Sequence, residues 1–278
     1  MSETKDSWLA GLVRWYGSHF DHPGQWRVVD LLRRVMNVRA CGDRMVASRG
    51  FRWQLDPSGH MQAAVFWLGQ MDRWEVLHLQ KQLKGDWLML DIGANFGYYS
   101  VRLAKGTSGT VYAFEPQSEV CGRLRMNVAL NDLQSQVEVC ELALSDREGT
   151  VCLTSHEGNT GKASISDEPG EVPMQRLDAF VKERGIGRID AIKMDVEGAE
   201  LKVLAGAEES LRKWRPALLI EVNPVALARH DASAVMLGER LQEIGYELHE
   251  INRGKLVKLH GFRDDREMVN ALCLPPTS

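Results

Sequence analysis

The chain has 278 residues, and its 34 Lys and Arg residues against 38 Asp and Glu residues give a formal net charge of −4. Hydrophobic residues make up 44% and charged residues 26%, which is typical of a folded globular protein and excludes disorder as the main state. The weak negative charge argues against a general nucleic-acid binder. No apolar run approaches the roughly 20 residues that a membrane-spanning helix needs, so we expect neither a nucleic-acid nor a membrane partner.

The five cysteines are widely spaced, odd in number and without any C-x-x-C pair. Several of them lie in apolar, strand-like runs, such as VEVC at residues 137–140. This usage is typical of reduced, buried thiols rather than of a disulfide framework. The first residues also lack the basic and then apolar order of a secretory signal, so we expect a cytoplasmic protein.

Residues 1–85 hold six of the eight tryptophans and differ in pattern from the rest of the chain. Apolar residues recur at helical spacing over 8–16 and 28–36, and a further helix is predicted over 74–83. The alternation in FRWQLD, residues 51–56, predicts a strand. We interpret residues 1–85 as a mainly helical extension with short strands that caps a substrate or makes the contact of a homodimer.

From residue 86 to residue 278, short apolar strands alternate with amphipathic helices. Strands are predicted over 88–92, 110–114, 137–142, 189–194, 217–222, 246–251 and 268–274, and helices over 98–104, 118–130, 199–212 and 233–244. Apolar strands separated by helices predict an α/β domain with a parallel sheet covered on both faces. Residues 150–177 interrupt this rhythm with a strand over 151–154 and a polar loop over 155–171 that contains His156.

The first strand runs into a glycine-containing loop, LDIGANFGYY at residues 90–99. Gly93 and Gly97 permit a sharp turn and a close approach of the backbone to a ligand. A dinucleotide fingerprint would need a glycine where Asn95 stands, and the preceding Asp91 would repel a pyrophosphate. A carboxylate at this point suits the ammonium group of S-adenosylmethionine, whose carboxylate the loop N–H groups would bind.

The second strand ends in FEP, which places Glu115 and Pro116 at its carboxyl end, 24 residues after Asp91. An acidic residue at this place accepts hydrogen bonds from ribose hydroxyls. A free ribose occurs in both S-adenosylmethionine and NAD, so the combination of Glu115 with Asp91 and Asn95 favours the former.

These motifs, together with IKMDVEGAE at residues 192–200 and RP at residues 215–216, resemble the FkbM family of S-adenosylmethionine-dependent methyltransferases. The resemblance implies the class I methyltransferase fold, a Rossmann-like seven-stranded sheet whose last strand is antiparallel. It also implies O-methylation of a hydroxyl on a sugar, polyketide or other natural-product acceptor. The cofactor contacts it implies are Asp91, Gly93, Ala94, Asn95, Gly97, Glu115, Pro116 and Asp195, with Ala143 and Leu144 beside the adenine.

Acidic residues at the ends of the fourth and fifth strands are the predicted catalytic groups, because an acceptor hydroxyl must lose a proton. These are Asp195, Glu197 and Glu221. By similarity to metal-dependent catechol-type O-methyltransferases, Asp195, Glu221 and Asn223 would form an all-oxygen set for Mg²⁺ or another divalent cation. A competing interpretation of Glu197 and Glu200 is that they stabilise the dipole of the following helix.

Two other functions compete with methyl transfer. A catalytically silent subunit that binds S-adenosylmethionine or a protein partner would share the fold, although the intact Asp195 and Glu221 oppose this. A nucleotide-dependent oxidoreductase is disfavoured by Asp91 and by the missing glycine pattern. Acceptor specificity is predicted to lie in residues 1–85, 155–175 and 224–235.

Overall fold

A computed structural model of the chain describes residues 8–38, 40–155, 163–166 and 170–276. It divides into two compact units, Met1–Arg73 and Trp74–Ser278. This division falls earlier than the predicted boundary between residues 85 and 86, because the intervening helix packs with the second unit. His78 Nε2 lies 2.9 Å from the Gly254 carbonyl oxygen, and the backbone of Gly254 lies against the Trp74 ring.

Over residues 8–38 and 40–73, the first unit combines three helices with a two-stranded hairpin, in agreement with the predicted helical extension. Its elements are α1 (Trp8–His19), α2 (Gln25–Val35), β1 (Arg44–Ser48), β2 (Phe51–Leu55) and α3 (His60–Leu68), and β1 pairs with β2 in antiparallel register. Trp53 and Trp67 are fully buried, whereas 72% of Trp8 and 53% of Trp15 are exposed. The homodimer contact and the substrate cap stay predictions.

The second unit is an α/β domain. Its strands are β3 (Leu88–Ile92), β4 (Thr110–Phe114), β5 (Val137–Cys140), β6 (Ala143–Ser145), β7 (Gly149–Ser155), β8 (Ala163–Ser166), β9 (Val172–Arg176), β10 (Ala191–Met194), β11 (Ala217–Val222), β12 (Glu247–Asn252), β13 (Lys255–Leu259) and β14 (Val269–Leu274). Its helices are α4 (Arg73–Gln80), α5 (Tyr98–Ala104), α6 (Ser118–Leu130), α7 (Leu177–Glu183), α8 (Glu200–Gly206), α9 (Glu208–Trp214), α10 (Pro224–Ala228) and α11 (Ala234–Ile244).

The main sheet has the strand order β13-β12-β14-β11-β10-β3-β4-β5. Strands β11, β10, β3, β4 and β5 pair in parallel, and β14 is antiparallel to both β11 and β12. The predicted seven-stranded sheet with an antiparallel last strand is thus confirmed. An eighth strand, β13, extends the edge and was not predicted.

A second, four-stranded sheet, with the order β6-β9-β7-β8, occupies the region where the strand–helix rhythm breaks. The predicted loop over 155–171 is therefore wrong in part, because β8 lies inside it and pairs with β7. His156 lies outside the described residues. The predicted helix over 199–212 is also two helices, α8 and α9, which meet at Ala207.

The core explains why the central strands read as continuous apolar runs. Leu90, Ile192, Leu218 and Ile220 on β3, β10 and β11 are fully buried in one hydrophobic cluster with residues of the covering helices. Buried polar residues on these strands, such as Asp91, are therefore exceptions to the apolar pattern. Within the described part of the chain, no helix combines the length and apolarity that crossing a bilayer requires.

Burial of the cysteines predicts their order of reaction with a thiol reagent. The thiols of Cys121, Cys140 and Cys273 are buried, Cys152 is half-buried and Cys41 is exposed. Burial raises the pKa of Cys121 and Cys140 to about 12, and the thiolate is the reactive form. In the native protein we expect Cys41 to react first and Cys152 more slowly. Mass spectrometry of the labelled peptides measures the rate of labelling at each cysteine. The other three should react only in denaturant, and their labelling at the rate of Cys41 in the native state would contradict this packing.

Candidate active site

The loop after β3 has an unusual backbone. Gly93, Asn95 and Gly97 all have positive φ angles, of 75°, 51° and 87°. A Cβ atom on Gly93 would lie 1.8 Å from the Asp195 carbonyl oxygen, and one on Gly97 would lie 2.2 Å from Leu124 Cδ1. The two glycines are therefore required by the close approach of neighbouring protein segments, in addition to their positive φ angles.

The N–H groups of this loop already donate within the chain. Gly93 N and Ala94 N both donate to the Phe114 carbonyl oxygen, at 3.0 and 2.9 Å. Asn95 N donates to Glu115 Oε2 at 2.9 Å, and Phe96 N donates to Asn95 Oδ1 at 2.8 Å. These bonds fix the loop against the end of β4, and the contact of the loop with the carboxylate of the cofactor stays a prediction.

Glu115 accepts hydrogen bonds from the loop after β3 and from the segment after β4, and so connects them. Only 5% of the residue is exposed, and its Oε1 accepts a second hydrogen bond from Gln117 N at 3.0 Å. Burial raises the pKa of Glu115, although both backbone hydrogen bonds act to lower it. A carboxylate has about four lone-pair positions, so two further donors, such as a pair of ribose hydroxyls, fit this group.

Asp91 lies one residue before the end of β3 and is 1% exposed. Its Oδ2 accepts hydrogen bonds from Ser100 N at 3.0 Å and from Ser100 Oγ at 2.6 Å. Its Oδ1 accepts no hydrogen bond from any described residue. Burial raises the pKa of Asp91, while Lys193 acts to lower it. A buried carboxylate oxygen without a donor suits a cationic ligand group such as an ammonium.

Lys193 connects the loops after β3 and β10. It stands opposite Asp91 in the β10–β3 register, and its Nζ donates to the Gly93 carbonyl oxygen at 2.9 Å. The same nitrogen lies 3.6 Å from Asp195 Oδ2 and 4.0 Å from Asp91 Oδ1. A lysine within an otherwise apolar buried strand is the signal that points to the site.

Acidic residues gather where β10 and β11 end, as predicted. Met194 and Ile220 are partners in the parallel register, so Asp195 and Glu221 follow side by side. Burial raises the pKa of Glu221 to about 8, and the negative charges of Asp195 and Glu197 add to this effect. Glu197 itself has a positive φ of 53°, which is rare for a residue with a side chain and is often found at functional sites.

Glu200 has a more specific role than the helix-dipole interpretation gives it. The residue is 2% exposed, and its Oε1 accepts hydrogen bonds from Val196 N and Gly198 N, both at 3.2 Å. Burial raises the pKa of Glu200 to about 7. Because a Cβ atom on Gly198 would lie 2.2 Å from the Ala226 carbonyl oxygen, the turn after β10 is held both by Glu200 and by packing on α10.

The predicted metal donors do not fit a divalent cation. Asn223 Oδ1 accepts a hydrogen bond from Ala226 N at 3.2 Å and so caps α10. Lys193 already supplies a positive charge beside Asp195. Within residues 8–38, 40–155, 163–166 and 170–276, no three His, Cys, Asp or Glu side chains are arranged to hold a metal ion.

Three further predicted cofactor contacts lie on the edges of this region. Pro116 follows Glu115 directly and is half-buried. Ala143 and Leu144 lie in β6, where their backbone pairs with β9. Both side chains are 2% exposed, and they belong to two different hydrophobic clusters. Their contact with adenine stays a prediction.

The sequence of residues 91–248 matches the family model of the methyltransferase FkbM domain, which covers more than half of the chain. The chain belongs to the FkbM methyltransferase family. The order and direction of its main strands are those of the class I methyltransferase fold.

Several relatives share this domain. The 2-O-methyltransferase NoeI of Sinorhizobium fredii is 32% identical in an alignment 153 positions long, and the match covers 48% of this chain and 62% of NoeI. The methyltransferase sdnD of Sordaria araneosa is 32% identical in an alignment 156 positions long, and the match covers 44% of this chain and 60% of sdnD. The chain thus spans less than two thirds of either relative. The 31-O-demethyl-FK506 methyltransferase FkbM of Streptomyces tacrolimicus is 26% identical, with 65% of this chain and 85% of FkbM covered.

Among solved structures, the methyltransferase FkbM from Methylobacillus flagellatus aligns with 96% of this chain and 58% of its own, at 14% identity and a TM-score of 0.45. TYW2 of M. jannaschii, solved in complex with AdoMet, aligns with 84% of this chain and 85% of its own. Its identity is 14% and its TM-score is 0.45.

The position of Lys193 predicts a large effect on stability. Replacing Lys193 by Met removes the cation beside the buried Asp91 carboxylate, and breaking a buried ion pair in this way costs about 3 kcal/mol. We therefore expect the free energy of unfolding, measured in urea, to fall by about that amount. The double variant Asp91→Asn with Lys193→Met should recover part of the loss.

Lys258→Ala is the matched control for this prediction. Lys258 pairs with Glu247, and 59% and 38% of the two side chains are exposed, so its removal should cost less than about 1 kcal/mol. Equal losses for Lys193→Met and Lys258→Ala would contradict the role given to Lys193.

Proposed function

We propose that this chain is an S-adenosylmethionine-dependent methyltransferase that methylates a hydroxyl group on a sugar or other natural-product acceptor. The observation that carries the proposal is the meeting of two pairs of carboxylates at one edge of the sheet. Asp91 and Glu115 lie around the loop after β3. Asp195 and Glu221 lie at the carboxyl ends of β10 and β11, which follow β3 in the sheet. Membership of the FkbM methyltransferase family supports the same reaction class.

The cofactor would be held between Asp91 and Glu115. Asp91 Oδ1, which accepts no hydrogen bond from any described residue, suits its ammonium group, and the remaining lone pairs of Glu115 suit its ribose hydroxyls. Gly93, Ala94 and Asn95 shape the wall between these two carboxylates. When bound, S-adenosylmethionine supplies an electrophilic methyl group carried on a sulfonium.

Glu221 is the residue that we assign as the general base. A base works best when its pKa lies near the working pH, and the pKa of Glu221 is raised to about 8. Asp195, beside Lys193, adds a negative charge that increases the proton affinity of Glu221. In this arrangement Glu221 takes the proton of the acceptor hydroxyl. The negative charges of Asp195 and Glu197 raise the pKa of Glu221.

The acceptor class is supported by the names of the relatives. They include a 2-O-methyltransferase, a 31-O-demethyl-FK506 methyltransferase and the hexuronic acid methyltransferase AglP of Haloferax volcanii. The first two methylate oxygen, and AglP acts on a sugar acid by its name. An alcohol acceptor also needs a base, which the group around Glu221 supplies. The competing silent subunit would bind the cofactor but transfer no methyl group.

A change at Glu115 tests the cofactor site. Glu115→Gln removes the charge that strengthens hydrogen bonds from ribose, so we expect the affinity for S-adenosylhomocysteine, measured by calorimetry, to fall by about tenfold to a hundredfold. Glu138→Gln is the control, because Glu138 forms an exposed pair with Arg184, and its affinity should match the wild type. If Glu115→Gln binds S-adenosylhomocysteine as tightly as the wild type does, Glu115 does not contribute to the cofactor site.

The raised pKa of Glu221 predicts the pH dependence of methyl transfer. Glu221 is mostly protonated below pH 8 and accepts a proton only when ionised, so the turnover number should rise with pH through about 8. Asp195→Asn removes one of the negative charges that raise this pKa, so the rise should move to lower pH. Glu221→Gln should lose most of its activity, and the control Glu247→Gln should keep the wild-type profile. A turnover number that is constant on both sides of pH 8 would contradict the assignment.

A further inference from the structure

Helix α1 of the first unit packs on its neighbours through small residues. Ala10, Val13 and Gly17 are its buried residues. A Cβ atom on Gly17 would lie 2.0 Å from the Trp67 carbonyl oxygen, so this side of the helix lies very close to the backbone of α3. A helix at the surface of a globular protein normally presents charged and polar residues to water on its other side.

The exposed side of α1 is instead apolar and aromatic. Trp8, Leu12 and Trp15 are all exposed, and a spacing of four and then three residues places them on one side of the helix. Phe20 follows the helix, is also exposed, and has its ring 5.7 Å from that of Trp15. Arg14 points inward, where its Nε donates to a carbonyl oxygen of α3 at 3.3 Å. A contiguous exposed apolar patch is typical of an interaction surface.

Helix α2, which packs against α1, exposes cations together with apolar side chains. Leu31 and Val35 are exposed. Arg27 and Arg34 are exposed as well, and their spacing from Leu31 places all four residues on one side of the helix. The acidic residue of α2, Asp30, is half-buried. The exposed side of α2 therefore combines apolar contact with positive charge.

The charge of this region distinguishes between its possible occupants. Residues 8–38 contain four arginines and two aspartates, a net charge of +2, whereas the whole chain has a net charge of −4. A second copy of the chain would present the same positive region, so contact between two copies is opposed by repulsion. Anionic lipid headgroups attract such a region. Tryptophan rings also favour the boundary between headgroups and acyl chains, because they join an apolar ring to a polar N–H.

We propose that the exposed sides of α1 and α2 bind a lipid surface that contains anionic headgroups. The residues that make the contact are Trp8, Leu12, Trp15, Phe20, Arg27, Leu31, Arg34 and Val35. The sequence-based expectation of no membrane partner depended on the missing membrane-spanning segment, and binding at the surface of a bilayer needs none. The inference is independent of the methyl-transfer reaction.

Flotation of lipid vesicles tests the proposal. The full chain is mixed with vesicles of phosphatidylcholine alone, or of an equal mixture of phosphatidylcholine and phosphatidylglycerol, and the fraction that floats with the vesicles is measured. We expect binding to the mixed vesicles and weaker binding to phosphatidylcholine alone. Added salt should weaken binding to the mixed vesicles, because it screens the charges of the headgroups.

Leu12→Glu and Met236→Glu form a matched pair of variants. Leu12 lies on α1 and Met236 on α11, and each is 48% exposed. Leu12→Glu removes an apolar contact and brings a negative charge to the headgroups, so we expect binding to the mixed vesicles to weaken about tenfold or more. Met236→Glu, with the same change of charge, should bind as the wild type does.

Trp8→Glu is a second variant that leaves the fold intact. Trp8 is the first residue of α1 and is 72% exposed, and a glutamate in the first turn of a helix is favourable to the helix dipole. We expect this variant to unfold at the same urea concentration as the wild type and to lose vesicle binding as Leu12→Glu does.

Four results would overturn the proposal. They are the absence of flotation with the mixed vesicles, equal binding to the two kinds of vesicle, equal binding by Leu12→Glu and Met236→Glu, and full binding by Trp8→Glu. Sedimentation of the chain without lipid tests the competing occupant. A wild-type dimer that Leu12→Glu converts to a monomer would assign the exposed side of α1 to a second copy and would overturn the lipid proposal.

Discussion

One buried lysine determines how the proposed active site is assembled. Lys193 comes from the centre of the sheet, and its ammonium group lies among the Gly93 carbonyl oxygen, Asp195 and Asp91. Burying three charges and a carbonyl together is costly unless they compensate one another. The lysine therefore holds the loop after β3 and the end of β10 in one arrangement.

The second constraint is the close contact between loops. The backbone of Gly93 lies against that of Asp195, and the backbone of Gly198 lies against that of Ala226. Together with the hydrogen bonds to Glu200, these contacts leave little freedom to the turn that carries Asp195 and Glu197. Such rigidity is what general acid–base chemistry needs, because a reacting proton must be met at a fixed distance. Two non-glycine residues in these loops, Asn95 and Glu197, have positive φ angles.

Most of the main sheet could be predicted because its strands are buried on both faces and so have continuous apolar sequences. β13 was missed because KLVKL is a partly exposed edge strand with lysines at both ends, and β9 because VPMQR is short and contains a proline. The positions of Asp91, Glu115, Asp195 and Glu221 at strand ends were readable from the sequence. Their partners were not, because hydrogen bonds depend on register and rotamer. Asn223 was predicted as a metal ligand, but its capping role could have been recognised from the sequence, since an Asn followed by Pro is typical of a helix start.

We propose that the edge of the sheet after β3 and β4 binds S-adenosylmethionine rather than a dinucleotide. Calorimetric titration of the unmodified chain with S-adenosylmethionine, and separately with NAD, tests it most directly. We expect heat from S-adenosylmethionine with a stoichiometry of one per chain and no heat from NAD. Absence of heat from S-adenosylmethionine, or tighter binding of NAD, would contradict it.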